Sequence, residues 1–306
     1  MPDRPITHIS DTARWVALYR ALESERPDAH FRDPHARRLA GDRAEAIVRG
    51  MPAFRSGTWP MVVRTVVFDE LVLRAVRAEG FDTVVNLAAG LDARPWRLDL
   101  PPATRWVDVD LPDILAYKRE ALAGERPACV YSAEALDLRD GPGRTALFER
   151  IGRDSRRTVV LTEGLLIYLT DADVASLARD LHAPRSFQWW VIDLVNPKLL
   201  RMLRRRWSKT LAEGDAMLQF GPAEGPRFFE PFGWKEREFR STWDEAHRLR
   251  RQMRMAWLWR LLARLSPAEK RRELSRMGGI VLMERTQPAA ISRTPETSRS
   301  TSSSVV

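Results

Sequence analysis

The sequence predicts an α/β fold: a doubly wound, mostly parallel sheet with an N-terminal helical cap and a lid before the last two strands. Three observations predict it. Residues 1–75 have apolar residues at helical spacing, and from residue 81 short β-branched runs alternate with helical segments. A long aromatic, proline-punctuated segment, 196–233, then precedes two further strand-like runs. We expect one domain over residues 1–286.

The composition limits the class of protein. The chain has 306 residues, of which 44% are apolar and 30% are charged, so it can bury a substantial core. No run of eighteen apolar residues occurs, and we therefore expect no membrane span. Cys129 is the single cysteine, which excludes an internal disulfide framework and a multi-cysteine zinc site. The N-terminal residues lack the apolar run of a secretory signal, and we expect a cytoplasmic protein without a bound metal.

The net charge of +9 raises the question of a nucleic-acid partner. Few of the basic residues are lysine, and most of the arginines are interspersed with acids, apart from Arg204–Arg206 and residues 248–276. Such runs are usually solvated helix faces, so we expect no specific nucleic-acid partner. A non-catalytic nucleic-acid-binding protein remains the alternative from another class, and its affinity would fall steeply with salt.

The elements follow in order along the chain. Apolar residues recur at helical spacing in Asp11–Glu25 and again in Val62–Val76, with a break at Pro27. The predicted strands are Thr83–Leu87, Arg105–Val109, Ala128–Tyr131, Thr158–Thr162, Gln188–Ile192, Trp234–Arg240 and Gly279–Glu284. The helices between them include Leu111–Leu122, Asp171–Leu181 with a capping-box spacing from Thr170 to Asp173, and a long basic stretch around 243–275. Nine of the twenty residues in 287–306 are Ser or Thr, which predicts a disordered tail.

A small-residue turn, Asn86–Asp92, follows the first predicted strand directly. Such a turn lets a ligand approach the backbone closely. Asp108 and Asp110 end the second strand about twenty residues later, where a carboxylate can accept hydrogen bonds from both hydroxyls of a ribose. The dinucleotide pattern G-x-G-x-x-G would need glycines at 88, 90 and 93, and only Gly90 is present. An NAD-dependent oxidoreductase is therefore the weaker enzymatic alternative, and a purely structural turn also stays open.

Two more acids follow the next two strands. Asp137 comes after the third strand, where it can accept from an adenine amino group while the next backbone N–H donates to a ring nitrogen. Glu163 comes directly after the fourth strand. Each could instead stabilise a helix N-terminus. Acids at the ends of three successive strands suit a nucleoside that carries positive charge elsewhere, such as S-adenosylmethionine.

Five segments of the chain together resemble those of a known family. The matching segments are Glu23–Pro34, Val63–Asp69, Val84–Leu98, Trp106–Lys118 and Thr162–Thr170. Together they resemble the leucine carboxyl methyltransferase family, and most closely its bacterial O-methyltransferases linked to polyketide biosynthesis. The resemblance implies a class I, Rossmann-like methyltransferase fold, S-adenosyl-L-methionine as cofactor, and methyl transfer to a carboxylate or hydroxyl of a small molecule, for example a polyketide-like metabolite.

The same resemblance implies a set of cofactor-binding positions. They are Arg64, Ala88, Gly90, Asp108, Asp110, Asp137, Leu138 and Glu163. Arg64 matches the arginine that grips the cofactor carboxylate, Asp110 the ribose-binding acid, and Asp137 with Leu138 the adenine-side pair. Many relatives have glycine where this chain has Ala88. The extra methyl is tolerable where no phosphate must be approached.

The acceptor site is less defined by the sequence. A carboxylate acceptor is already ionised and needs no base, whereas a hydroxyl would benefit from one. We interpret the five histidines as surface or packing residues and assign no catalytic residue. Tyr19, Tyr168 and Asn196 are candidate cleft residues. The aromatic residues of 196–234 either contact a flat apolar substrate or form the core of the lid.

Overall fold

The computed structural model describes residues 10–49, 58–211, 217–252 and 267–286. The strands in this part of the chain are β1 (Thr83–Leu87), β2 (Arg105–Asp110), β3 (Val130–Ala135), β4 (Thr158–Thr162), β5 (Phe187–Val195), β6 (Trp234–Ser241) and β7 (Gly278–Arg285). They form one sheet of order β3-β2-β1-β4-β5-β7-β6. Neighbouring strands from β3 to β5 pair in parallel, and β7 pairs antiparallel with both β5 and β6. The predicted doubly wound, mostly parallel sheet is confirmed.

Three helices precede β1, the others connect the strands, and helices cover both faces of the sheet. They are α1 (Ser10–Ser24), α2 (Ala36–Arg49), α3 (Trp59–Leu73), α4 (Arg94–Arg97), α5 (Pro112–Ala121), α6 (Gly141–Asp154), α7 (Asp171–His182), α8 (Pro197–Leu211), α9 (Thr242–Arg248) and α10 (Ala268–Ser275). The predicted capping box of α7 is present, because the side chains of Thr170 and Asp173 each accept from the other's backbone N–H. The predicted helix over Val62–Val76 corresponds to α3 and to a π-helical turn, Arg74–Ala78, that extends it.

Two apolar layers cover the sheet. On one face, α3 packs Val63, Val67 and Phe68 against the side chains of β2 and β5 that include Trp106 and Trp189. On the other face, α6 and α7 pack against the alternate residues of the same strands. Strands buried on both faces are typical of a parallel sheet covered by crossover helices, and this burial leaves the strand ends as the accessible edge.

Three elements differ from the sequence-based expectation. The predicted third strand begins two residues too early, and β3 is a partly exposed edge strand whose apolar pattern is weak. The predicted fifth strand is too short, since β5 continues to Val195. The long basic helical stretch predicted around 243–275 contains the short helix α9, a turn at 249–252, and α10.

The structure describes most of the predicted lid but not the predicted tail. Within 196–233, the structure has α8, an irregular stretch from 217 and a 3₁₀ helix, Gly225–Phe232. The predicted disordered tail, 287–306, lies outside the described residues. Among the described helices, none combines the length and apolarity that crossing a membrane requires.

Candidate functional site

The turn after β1 adopts an unusual backbone conformation. Ala88 and Gly90 both have φ of 51°, in the left-handed region that favours glycine. A side chain at Gly90 would begin 3.3 Å from the Cβ atom of Ala13 on α1, so the turn passes close beneath that helix. The glycine therefore permits a tight turn between β1 and the N-terminal cap. Ala88 takes the same backbone region at a cost of about 1 kcal/mol in strain.

Asp110 binds this turn directly. Its Oδ2 accepts a hydrogen bond from the backbone N–H of Gly90 at 2.6 Å, and its Oδ1 accepts from the N–H of Leu111 at 2.7 Å. Burial raises the pKa of the Asp110 carboxyl above 3.8, although the two backbone N–H groups act to lower it. An ionised carboxylate has about four lone-pair sites. Asp110 therefore keeps acceptor capacity for two further donors while it holds β1 and β2 together at the sheet edge.

Asp108 lies deeper than Asp110 on the same face of β2. It is completely buried, and its carboxylate accepts from the side chains of Asn86, Trp106, Lys118 and Tyr131 at 2.6–3.2 Å. No part of this side chain reaches the surface of a cleft. The expectation that Asp108 touches the cofactor is therefore not supported by its position, because its acceptor sites are filled from within the protein. We assign it a supporting role beneath Asp110.

Asp137 and Leu138 follow β3 at the same edge of the sheet. The Asp137 side chain is 40% exposed and is held by the guanidinium of Arg139, whose hydrogen bond lowers the pKa of the carboxyl. The carbonyl of Leu138 accepts from Arg144 Nη1 at 2.6 Å, and Arg144 is itself buried and bound to Asp180. The loop after β3 is therefore fixed at Leu138, and it presents the Asp137 carboxylate to solvent at the edge.

Arg64 and Glu163 form a buried ion pair across the edge. Arg64 extends from α3, and its Nε donates to Glu163 Oε1 at 3.0 Å. Its Nη1 donates at 3.1 Å to Oδ2 of Asp193, which lies two residues before the end of β5. Only 12% of the Arg64 side chain and 13% of the Glu163 side chain are exposed. Burial raises the pKa of Glu163, but Arg94 and Arg64 outweigh it and hold the pKa below 4.5. Glu163 is therefore ionised at neutral pH.

Arg94 connects this ion pair to the turn after β1. Its Nη2 lies 2.8 Å from Glu163 Oε2, its Nη1 donates to Asp92 at 2.5 Å, and its Nε donates to Asp69 at 2.6 Å. Burial opposes the charge on Arg94, but Asp92, Glu163 and Asp69 raise its pKa well above the usual value. A connected set of contacts thus runs from the turn through Arg94 to Glu163. The acids at the ends of β2 and β4 are both joined to the turn after β1.

Of the other candidate cleft residues, Tyr19 and Tyr168 lie near Arg64, whereas Asn196 lies at the start of α8. Tyr19 on α1 is buried, and burial raises the pKa of its phenol to about 12 despite the opposing effect of Arg64. Burial likewise raises the pKa of Tyr168, near Arg64 and Asp193. Asn196 instead caps α8, since its Oδ1 accepts from the N–H of Leu199 at 2.8 Å.

Three aromatic residues of 196–234 lie in the core. Phe220, Phe229 and Trp234 are at most 1% exposed and pack with Trp190 of β5. This arrangement supports the interpretation as lid core for these residues. A separate cleft of about 480 Å³ lies beyond β5, between Leu194, Pro226 and Phe239. It does not include the ionic groups around Glu163.

The sequence did not lead us to four residues of this cluster: Asp69, Asp92, Arg94 and Asp193. Asp69, Asp92 and Arg94 lie inside segments that carry the family resemblance, so those motifs are a usable signal for them. Asp193 is a single acid within the apolar run of β5, and its position before the strand end is the only signal that sequence offers. Their partners are far away in the sequence, which spacing alone does not show.

Comparisons with known proteins identify the family. A model described as leucine carboxyl methyltransferase matches residues 13–182, which is more than half of the chain. The chain belongs to the leucine carboxyl methyltransferase family. This membership confirms the predicted family, the predicted class of S-adenosylmethionine-dependent methyltransferases and the predicted cofactor.

Individual relatives and structures agree with this membership. A Parafrankia sp. (strain EAN1pec) protein, named as an S-adenosyl-L-methionine-dependent methyltransferase, is 35% identical over 263 residues, or 78% of this chain and 81% of the relative. One of the same description from Mycobacteroides abscessus is 37% identical over 191 residues, 56% of this chain and 61% of the relative. A solved structure described as a methyltransferase from Thermobifida fusca YX has a TM-score of 0.57 at 15% identity and covers 93% of this chain and 97% of its own. A DUF574 family protein from Streptomyces avermitilis has a TM-score of 0.55 at 14% identity, with 90% and 97% covered. The two structures establish the fold that this family member shares.

Proposed function

We propose that this family member is an O-methyltransferase that transfers the methyl group of S-adenosylmethionine to a carboxylate or hydroxyl of a small molecule, with polyketide-like acids and phenols as the first class to test. One observation carries the proposal: a buried Arg64–Glu163 ion pair adjoins the turn that Asp110 binds. An arginine and an ionised carboxylate together match an amino-acid zwitterion. An acid with remaining acceptor capacity at the end of β2 matches a ribose.

The donor set fits the cofactor group by group. In this proposal, Arg64 binds the carboxylate of the amino-acid end and Glu163 binds its ammonium group. Asp110 accepts from the ribose hydroxyls, and Asp137 with the backbone of Leu138 binds the adenine. The turn at Ala88 and Gly90 lets the ligand lie close to the backbone. When bound, S-adenosylmethionine supplies a methyl group on a positively charged sulfur.

The protein's own contribution to the reaction is alignment. Within the described residues, no histidine belongs to the ionic cluster. The Tyr19 hydroxyl, with a pKa of about 12, stays protonated at neutral pH, and so does that of Tyr168. These hydroxyls can donate a hydrogen bond to an acceptor oxygen but are poor bases. A carboxylate acceptor fits this environment because it arrives ionised. Alignment requires its oxygen to lie about 3–3.5 Å from the methyl carbon.

The two alternative functions have less support. In an NAD-dependent oxidoreductase, the turn after β1 would receive a pyrophosphate. The N–H of Gly90 is already bound to the Asp110 carboxylate, so a pyrophosphate there would meet negative charge and would lack this backbone donor. A nucleic-acid-binding role would need basic groups that are not already paired with carboxylates. Arg237, Arg248 and Arg276, from the basic C-terminal third, are each paired with glutamates.

The test combines binding and turnover. Titration calorimetry measures S-adenosylhomocysteine binding to the wild type and to Asp110→Ala, with Asp154→Ala as the control because Asp154 is a 58%-exposed acid at the end of α6. We expect Asp110→Ala alone to weaken binding, by about tenfold or more for a lost charge-assisted hydrogen bond. Transfer of a labelled methyl group is then screened across carboxylic acids and phenols. Unchanged binding in Asp110→Ala would remove the ribose assignment, and a thermal shift with NAD but none with S-adenosylhomocysteine would favour the oxidoreductase.

A further inference from the structure

The guanidinium of Arg64 is held on two sides by carboxylates. Nε donates to Glu163 and Nη1 donates to Asp193. Within the described residues, the second terminal nitrogen, Nη2, has no hydrogen-bond partner. A guanidinium is planar and rigid, so fixing two of its nitrogens also fixes the direction of the third. Nη2 is thus the one nitrogen that remains for a ligand, in a direction set by Glu163 and Asp193.

Gly164 completes the support beneath Arg64. Its φ is 68°, and its backbone N–H donates to Asp193 Oδ1 at 2.7 Å. A Cβ atom at this position would lie 2.9 Å from Arg64 Nη1 and 3.4 Å from both Cζ and Nη2. The guanidinium therefore rests directly on the glycine. One oxygen of Asp193 holds the backbone of Gly164, and the other oxygen holds Arg64.

We propose that Asp193 and Gly164 are positioning residues that fix the Arg64 guanidinium so that Nη2 faces the carboxylate of the bound cofactor. The inference rests on the proposed role of Arg64 in cofactor binding and extends it to two residues that would not themselves touch the ligand. Glu163 is occupied by the ammonium in the proposed complex. Asp193 is then the carboxylate that keeps Arg64 in place when the ligand is bound.

A competing interpretation makes the opposite prediction. If Asp193 only neutralises Arg64, removing its charge would leave a stronger positive charge for the ligand carboxylate and would tighten binding. If Asp193 fixes the orientation of Arg64, removing its charge lets the side chain move and weakens binding to the carboxylate. The sign of the change therefore separates the two roles.

The experiment compares two ligands that differ at one end. S-adenosylhomocysteine has the amino-acid end, whereas 5′-methylthioadenosine lacks it and keeps the adenosine. Calorimetry measures both ligands on Asp193→Asn and on Gly164→Ala. Each variant has a matched control. Glu284→Gln changes an acid of similar exposure, 21% against 24% for Asp193, that pairs with Lys235 and Arg237 elsewhere on the sheet. Gly80→Ala introduces the same left-handed strain, at φ of 71°, with no atom within 4 Å.

We expect each variant to raise the dissociation constant of S-adenosylhomocysteine by about tenfold. The constant for 5′-methylthioadenosine should stay within about twofold, because the adenosine end is bound by other residues. Both controls should leave both constants unchanged. Equal losses for the two ligands would show a general structural effect and would overturn the inference, as would tighter or unchanged binding of S-adenosylhomocysteine. A wild type that binds both ligands equally would instead refute the proposed role of Arg64 itself.

Discussion

Glu163→Gln should destabilise the protein markedly, because Glu163 neutralises two buried arginines. Its two oxygens bind Arg64 at 3.0 Å and Arg94 at 2.8 Å, and its side chain is only 13% exposed. Glutamine keeps one acceptor oxygen but turns an NH₂ group toward the other arginine. A lost charge-assisted hydrogen bond costs about 1.5–3 kcal/mol, and breaking a buried pair costs about 3–5 kcal/mol. Since Arg64 keeps Asp193 and Arg94 keeps Asp69, we expect a loss of about 3 kcal/mol.

The pH dependence of this difference tests the same reasoning. The pKa of Glu163 is lower in the folded protein than its usual 4.5. The stabilisation is therefore fully present above the unfolded pKa and is lost as the pH falls through the folded pKa. Urea unfolding of the wild type and Glu163→Gln between pH 8 and pH 4 measures the difference. Glu284→Gln, in a more exposed surface cluster, should cost less than about 1 kcal/mol. A difference for Glu163→Gln below about 1 kcal/mol, or one that grows as the pH falls toward 4, would refute the account.

Three further predictions concern the residues around this pair. Ala88→Gly should raise the free energy of unfolding by about 1 kcal/mol in urea titrations, because it relieves the strain at φ of 51°. Lys118→Met should lower it by roughly 3–5 kcal/mol, since the completely buried Asp108 would lose its counter-charge; a cost below about 1 kcal/mol would contradict this. Arg144→Met should weaken S-adenosylhomocysteine and 5′-methylthioadenosine by the same factor in calorimetry, because Arg144 fixes the Leu138 carbonyl at the adenine end. Unequal factors would be inconsistent with that placement.

The sheet was predictable where the strands are buried on both sides. β1 and β4 are five-residue runs with every residue buried, and their predicted bounds match the structure. β3 lies at the sheet edge and contains only exposed and half-buried residues, so its apolar signal is weak and its start was misplaced. Apolar periodicity therefore locates central strands better than edge strands, because burial produces the pattern.

The sequence predicted which strand ends carry the candidate site, but not how deeply each side chain is buried. Asp108 and Asp110 are two residues apart on β2, so alternation places them on the same face and cannot separate them. Asp108 lies roughly 6–7 Å farther from the strand end, which puts it inside the protein among four donors. The contacts of Arg94 with Asp69 and Glu163 were also not predictable, because they join residues that are distant in the sequence. Such contacts depend on the packing of α3 against the sheet, which no local pattern specifies.

The central claim is that the ends of adjacent strands hold an adenosine with a zwitterionic tail. A crystal structure of the wild type with S-adenosylhomocysteine tests it most directly. The account predicts both ribose hydroxyls within about 3.2 Å of the Asp110 carboxylate and the ligand carboxylate at the same distance from Arg64 Nη2. Density for the ligand in another part of the molecule, or a ribose that does not contact Asp110, would contradict it.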